Sequence, residues 1–281
     1  MGWGWRILDW KPWLLWLAIG IWSQGSHGED TPLLMGSVAM DVPSAMISRL
    51  TPLTNYLSEK TGKKVVFQVS PNLESAVYDL GAGRTQIAYL TPVAYIEARE
   101  KFGVLPLAAP LTHGKDTFRL VIVVRQHSNI HSVKDLKGKK FALGDEKALL
   151  QQAVVNGAGI RLTELGAYAF LKHYDTIAKA VLRGDFDAGI LKDTVAEEYS
   201  KSGLRVIHVS PPLAAYLFAV NAKVPKETIT LLRNALLSLK PDTQEGRAVL
   251  TALDEGYDGF AESTDEKYDP IRKLIAPFRK K

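Results

Sequence analysis

KKFALGDEKALLQQAVVNGAGI, residues 139–160, passes from strand to glycine to helix within a few positions. The apolar run Phe141-Ala142-Leu143 stops at Gly144, and Asp145, Glu146 and Lys147 form a charged turn. A helical pattern follows from Ala148 to Val155. A strand that ends in glycine and opens a helix is how α/β proteins aim free backbone N–H groups at an anion. Two acids sit in this opening turn. Asp145 or Glu146 can satisfy the helix start from within, which leaves less room for a ligand's negative charge.

The alternation continues outward on both sides. LLMGSVAM (33–40), KKVVFQVS (63–70), TQIAYL (85–90) and VLPLAAPL (104–111) read as strands. Helices are expected over 43–62, with a kink or restart at Pro52, and over 72–83 and 92–103. A long strand is expected at 117–125. After it come the opening stretch, a helix at 174–184, a strand at 187–191, a helix at 192–203 and a strand at 204–210. A second long apolar run covers 213–221, and the tail reads as helical, with Ile229, Leu232, Leu236 and Leu239 on one stripe. The fold class is therefore α/β, with mostly parallel sheets flanked by helices. The two long runs bracket one α/β block inside another. Lobe one is expected at 29–116 with 222–281, lobe two at 126–212, and two hinge crossings at 117–125 and 213–221. A ligand would sit in the cleft between such lobes.

Residues 1–28 stand apart. Arg6 and Lys11 precede an apolar run from Pro12 to Trp22, and Ser26-His27-Gly28 or Ser23-Gln24-Gly25 offers a cleavage site. The run is far shorter than the ~20 residues of a membrane span, so the segment reads as a secretory signal peptide and the mature chain as periplasmic. There are no cysteines, which excludes disulfides, thiolate nucleophiles and a lipoprotein anchor. At 46% hydrophobic and 23% charged, the remainder can bury an ordinary core. A net charge of +5, spread without a basic stripe, gives no nucleic-acid surface.

Strand-to-helix corners supply the candidate ligand groups: Asp41, Ser70, Thr91, the turn Asp145-Glu146-Lys147, and Lys192-Asp193. Any one corner can be simple helix capping. As a set they favour a ligand, because open α/β sheets bind at the carboxyl ends of their strands. Tyr95 lies one helical turn past Thr91, and both stacking on a ligand and packing between lobes remain open for it. Asp175, in KHYD, either caps its helix or faces the cleft. His127 and His131 fall in a turn-rich loop without an HExxH pattern, so no metal site is expected. No nucleophilic triad, P-loop or cofactor motif is present, and the chain reads as a binding protein without enzyme activity or cofactor.

YLTPVAYIEA, DLKGKKFALGD and AVLRGDFDAGILKD, in this order, resemble the phosphate/phosphite/phosphonate-binding (PhnD-like) group of periplasmic solute-binding proteins, as does the later DGFAESTDEKYDPIRK. The resemblance spans nearly all of 33–275 and implies a type 2 periplasmic-binding fold that delivers a ligand to an ABC transporter. The family's ligand aromatic falls on Tyr95 and its cleft acid near Asp193. Its His-Asp pair falls on Tyr174-Asp175, with the histidine replaced. Its hydroxyl cradle falls on Glu146-Lys147-Ala148, where no hydroxyl pair stands. The expected function is capture of a small polar, anionic or zwitterionic ligand by a monomer serving an ABC permease. The alternative is a sensing or interaction module of the same fold acting with a membrane sensor.

Overall fold

The computed structural model describes residues 1–3, 31–37, 43–144, 146 and 149–279. Most of the 1–28 segment, the corner residue Asp41, and Asp145 and Lys147 of the opening turn lie outside the described residues. Thr31–Lys281 forms one compact unit, and Met1–Asp30 separates as another.

The chain begins with β1 (Leu33–Ser37), α1 (Pro43–Thr61), β2 (Val65–Phe67), α2 (Leu73–Ala82), β3 (Ile87–Leu90), α3 (Pro92–Phe102) and β4 (Leu105–Thr112). It crosses through β5 (Thr117–Phe118) into β6 (Leu120–Arg125), β7 (Lys140–Leu143), α4 (Leu149–Gly157), β8 (Ala167–Phe170), α5 (Tyr174–Arg183), β9 (Ala188–Lys192), α6 (Asp193–Ser200) and β10 (Leu204–Val209). It returns through β11 (Leu213–Ala214) to β12 (Leu217–Val220), then α7 (Lys226–Ser238), α8 (Gln244–Leu253), β13 (Tyr257–Glu262) and α9 (Asp269–Ile275).

Two sheets result, in the orders β13-β4-β12-β3-β1-β2 and β10-β6-β9-β7-β8. Both share one plan. The first three strands run parallel, with the first in the middle; an antiparallel strand inserts beside the third, and a fourth lies beyond it. In each sheet the inserted strand, β12 or β6, follows one of the two crossings. The crossings themselves pair as a short ribbon, Leu213 opposite Phe118 and Ala214 opposite Thr117.

Alternation explains why these strands are buried on both faces. In β6, Leu120, Ile122 and Val124 join one core cluster, while Val121 and Val123 join another beneath α5 and α6. On the first sheet, Met35, Ile87 and Phe218 pack under α1, α7 and α8.

The structure departs from expectation in four places. The two long runs are each broken into a short crossing strand and a sheet strand. A strand, β13, occupies part of the tail expected to be helical, because Tyr257–Glu262 pairs with the edge of β4. The strand β8 stands where no element was expected; its four residues are short and half exposed, so periodicity gave little signal. Finally, α1 runs unbroken through Pro52. Thr51 Oγ1 and Ser48 Oγ bond carbonyls one turn back, at 2.7 and 3.1 Å, beside the proline.

Helix α9 packs on both α3 and α4. An ion network holds it there. Tyr95 Oη donates to Asp265 Oδ1 at 2.7 Å, Arg272 bonds the same carboxylate, and Arg279 reaches Glu100 at 2.6 Å. Burial alone would raise the Asp265 carboxyl, but the hydrogen bonds from Tyr95 and Arg272 hold it below the usual carboxylate range. A depressed folded value means its stabilisation is complete above about pH 4 and fades as pH falls through the lower value. Acid melts should therefore show Asp265→Asn losing less stability in that range than wild type; equal losses would remove Asp265 from the account of acid sensitivity.

Candidate functional site

The parallel strands β1, β3, β7, β8 and β9 end where α1, α3, α4, α5 and α6 begin. Four tyrosines gather from these ends, from the second crossing and from the start of the antiparallel strand β13. Tyr89 is on β3, Tyr257 opens β13, Tyr216 lies between β11 and β12, and Tyr174 opens α5. The hydroxyls of Tyr89 and Tyr257 share a 2.5 Å hydrogen bond. The Tyr89 ring lies 5.8 Å from that of Tyr216 and stacks on Phe218 at 4.7 Å. Tyr216 is close enough to feel both Tyr174 and Tyr257 electrostatically.

Burial pushes all four phenols above their ordinary range. All four therefore keep their protons at neutral pH and are available as hydrogen-bond donors or acceptors without charge. Charges stand at the margins. Arg49 of α1 and Asp254 influence Tyr257, and Asp193 influences Tyr174. An open surface concavity of ≈ 690 Å³ along α8, lined by Gln244, Arg247, Ala248, Thr251 and Ala252, carries none of these groups.

The corners expected to face a ligand differ in what they do. Thr91 caps α3, its hydroxyl accepting from Ala94 N at 3.2 Å. Asp193 clamps the first crossing: Oδ2 accepts from Arg119 N at 3.1 Å, Oδ1 from Thr194 N at 3.1 Å, and its own N–H donates to Arg119 O at 2.9 Å. The Lys192 ammonium sits 5.9 Å over the Phe118 ring. Ser70 is buried, its hydroxyl without a partner among the described residues. Glu146 is exposed, and its carbonyl accepts from the Gln152 amide at 2.9 Å. His173 is the residue at the N-cap position of α5, so Asp175 is not the cap; it is exposed within the first turn.

Tyr95 does not join the phenol group. Its side chain is fully buried, packed 4.6 Å from Tyr268, with the hydroxyl on Asp265. Tyr95→Phe should lower stability by about 1–2 kcal/mol and leave ligand affinity unchanged. Loss of affinity with an unchanged melt would return Tyr95 to the site.

Tyr174 is the family-derived position that the structure does bring to the cluster. Its corner is tied to the opening stretch, because Lys172 N–H donates to Gly144 O at 2.9 Å. Lys172 holds φ 67°, a conformation an L side chain rarely adopts. Tyr216, Tyr257 and Gln151 were missed. Tyr216 hides in a crossing, and Tyr257 lies in a tail expected to be helical. Gln151 reads as an ordinary polar helix residue, although it is buried beside Gly144.

Two sheets of one plan, joined by paired crossings with polar groups at the strand ends, define a type 2 periplasmic-binding fold. Residues 35–268 match the family described as ABC transporter, phosphonate, periplasmic substrate-binding protein, and the chain belongs to that family. Family members are periplasmic, bind a small molecule and work with ABC permeases. The phosphate-import protein PhnD of Mycolicibacterium smegmatis is 24% identical, over 90% of this chain and 87% of its own. PhnD1 of Prochlorococcus marinus, solved with methylphosphonate, superposes with a TM-score of 0.73 at 19% identity, covering 88% of this chain and 97% of that one. A phosphonate-transporter binding protein from Pseudomonas aeruginosa gives 0.68 at 19% identity, covering 86% and 85%. No helix among the described residues is long and apolar enough to cross a membrane.

Proposed function

We propose that this chain captures a small oxyanion of the phosphate or phosphonate class between its lobes and passes it to an ABC permease, with no chemistry of its own. The observation that carries this reading is the gathering of four protonated phenols at the strand ends. Such a surface offers donors to an acceptor-rich ligand without a fixed charge to match an amine. The acids among the expected ligand groups do not favour a zwitterion. Asp193 spends both oxygens on backbone N–H groups, and Glu146 and Asp175 are exposed.

In this reading the lobes divide at the crossings, 117–125 and 213–221. Residues 1–28 direct export and are removed, and the mature protein is a periplasmic monomer without a lipid anchor. Thermal-shift screening tests the ligand class. Phosphate or methylphosphonate at about a hundred times its Kd stabilises by roughly 2.7 kcal/mol, which is a rise of roughly 5–10 °C for a chain of this size. Amino acids should leave the melt unchanged. A rise with amino acids and none with either oxyanion would overturn the proposal.

A further inference from the structure

We infer that Tyr89 and Tyr257 form a relay with one direction: Tyr89 donates to Tyr257, and Tyr257 donates to the ligand. Tyr257 is then a residue that touches the oxyanion, and Tyr89 is a positioning residue behind it. The inference rests on the proposed reading only in placing the oxyanion beside the phenols.

Strand register puts both tyrosines at one end of the first sheet. Strand β12 is antiparallel to both β3 and β4, so β3 and β4 run the same way. Tyr89 is the last but one residue of β3. Tyr257 opens β13 opposite Thr112, the last residue of β4. Tyr216 precedes Leu217, which pairs with Leu90 at the end of β3. The pair therefore lies at the carboxyl ends of two strands that run in parallel, where open α/β sheets bind their ligands.

The 2.5 Å bond between the two hydroxyls uses one of their two hydrogens. Burial decides which one is left over. Tyr89 is only 3% exposed, its ring stacked on Phe218 and 5.8 Å from that of Tyr216. Among the described residues its hydroxyl has no hydrogen-bond partner besides Tyr257. Were Tyr257 the donor, the Tyr89 hydrogen would be buried with nothing to accept it, which is the costly arrangement. Tyr257 is partly exposed. With Tyr89 donating, the spare hydrogen belongs to Tyr257 and can reach water in the free protein or a ligand oxygen in the bound one. The nearby carboxylate of Asp254 uses Oδ1 to accept from Gly256 N–H at 2.9 Å. Accepting a hydrogen bond also makes the Tyr257 hydroxyl a stronger donor.

The test is thermal melting, and calorimetry with inorganic phosphate and with methylphosphonate, on the full chain: wild type, Tyr89→Phe, Tyr257→Phe and the pair. A hydrogen bond to a charged acceptor is worth roughly ten- to a hundredfold in affinity, and Tyr257→Phe should lose it. Tyr89→Phe removes only the reinforcement, at most about threefold. The melts of the free proteins carry a second signature. Tyr257→Phe strands the buried Tyr89 hydroxyl and should melt several degrees lower. Tyr89→Phe leaves the Tyr257 hydroxyl to water and should lose less, and the pair should recover most of the Tyr257→Phe loss, because it strands nothing.

A larger affinity loss in Tyr89→Phe than in Tyr257→Phe would reverse the relay and overturn the inference. So would a lower melt in Tyr257→Phe with unchanged affinity, the mark of a merely structural pair. Either result, with oxyanion binding by wild type intact, leaves the proposed function standing. No binding of phosphate or methylphosphonate by wild type would overturn both. Should Tyr257→Phe fail to fold, the pair is compared with Tyr89→Phe and should bind at least about tenfold more weakly; equal affinities would overturn the inference.

Discussion

Tyr216→Phe is expected to weaken oxyanion binding by roughly ten- to a hundredfold while leaving the melting temperature of the free protein nearly unchanged. The reasoning starts from what each phenol is already doing. The Tyr89 and Tyr257 hydroxyls are bonded to one another. Among the described residues the Tyr216 hydroxyl makes no hydrogen bond, although burial pushes its pKa up. It is the donor with no internal duty. Removing it takes nothing from the fold and leaves a ligand oxygen short of a partner. The ring, 5.8 Å from Tyr89, is kept by the phenylalanine. Calorimetry with methylphosphonate measures the effect. A large fall in melting temperature with intact affinity would make Tyr216 a packing residue.

Gly189→Ala should lower both stability and affinity. Gly189 lies in β9, directly beneath α5. A Cβ there would meet the Ile177 methyl at 2.5 Å, the Val181 methyl at 3.2 Å and Ala142 O at 3.4 Å. Ile177 and Val181 are buried on the inner face of α5, and Ala142 belongs to the neighbouring strand β7. The clash can be relieved only by lifting the helix from the sheet or by straining its side chains. Overpacking of this kind costs about 1–3 kcal/mol, or roughly 2–10 °C at this chain length. Helix α5 begins with Tyr174, so the same lift moves a phenol of the site. Thermal melts and phosphate titrations should fall together. A destabilised variant with wild-type affinity would show that the helix start is held independently of the strand below it.

The alternation of strands and helices was readable because its period is imposed by burial on both faces of each sheet. Leu120 to Val124 show this residue by residue. The crossings were readable as long apolar runs, but not their breaks, because a two-residue ribbon has no periodicity of its own. The site was less legible. Strand-end corners could be found from composition, yet Thr91 and Asp193 turned out to spend their oxygens on nearby backbone. A side chain that caps and one that binds look alike in sequence. The phenols come from four distant segments, and only folding shows that 89, 174, 216 and 257 converge. The opening stretch is the instructive case. Its glycine did mark a strand end that invites an acceptor. The acceptor that the structure places there is the chain's own Gln151, seven residues along the same stretch.

All six tryptophans lie at or before Trp22, and all ten tyrosines lie within Thr31–Lys281, the compact unit that carries the site. Residues 29–281 therefore emit through tyrosine alone, and four of those ten form the proposed site. Titrating this protein with methylphosphonate while following tyrosine fluorescence is the most direct test that an oxyanion binds at the phenols. The expected result is a saturable, one-site change that shifts to much higher concentration in Tyr216→Phe. A flat titration, or one identical in the two proteins, would contradict it.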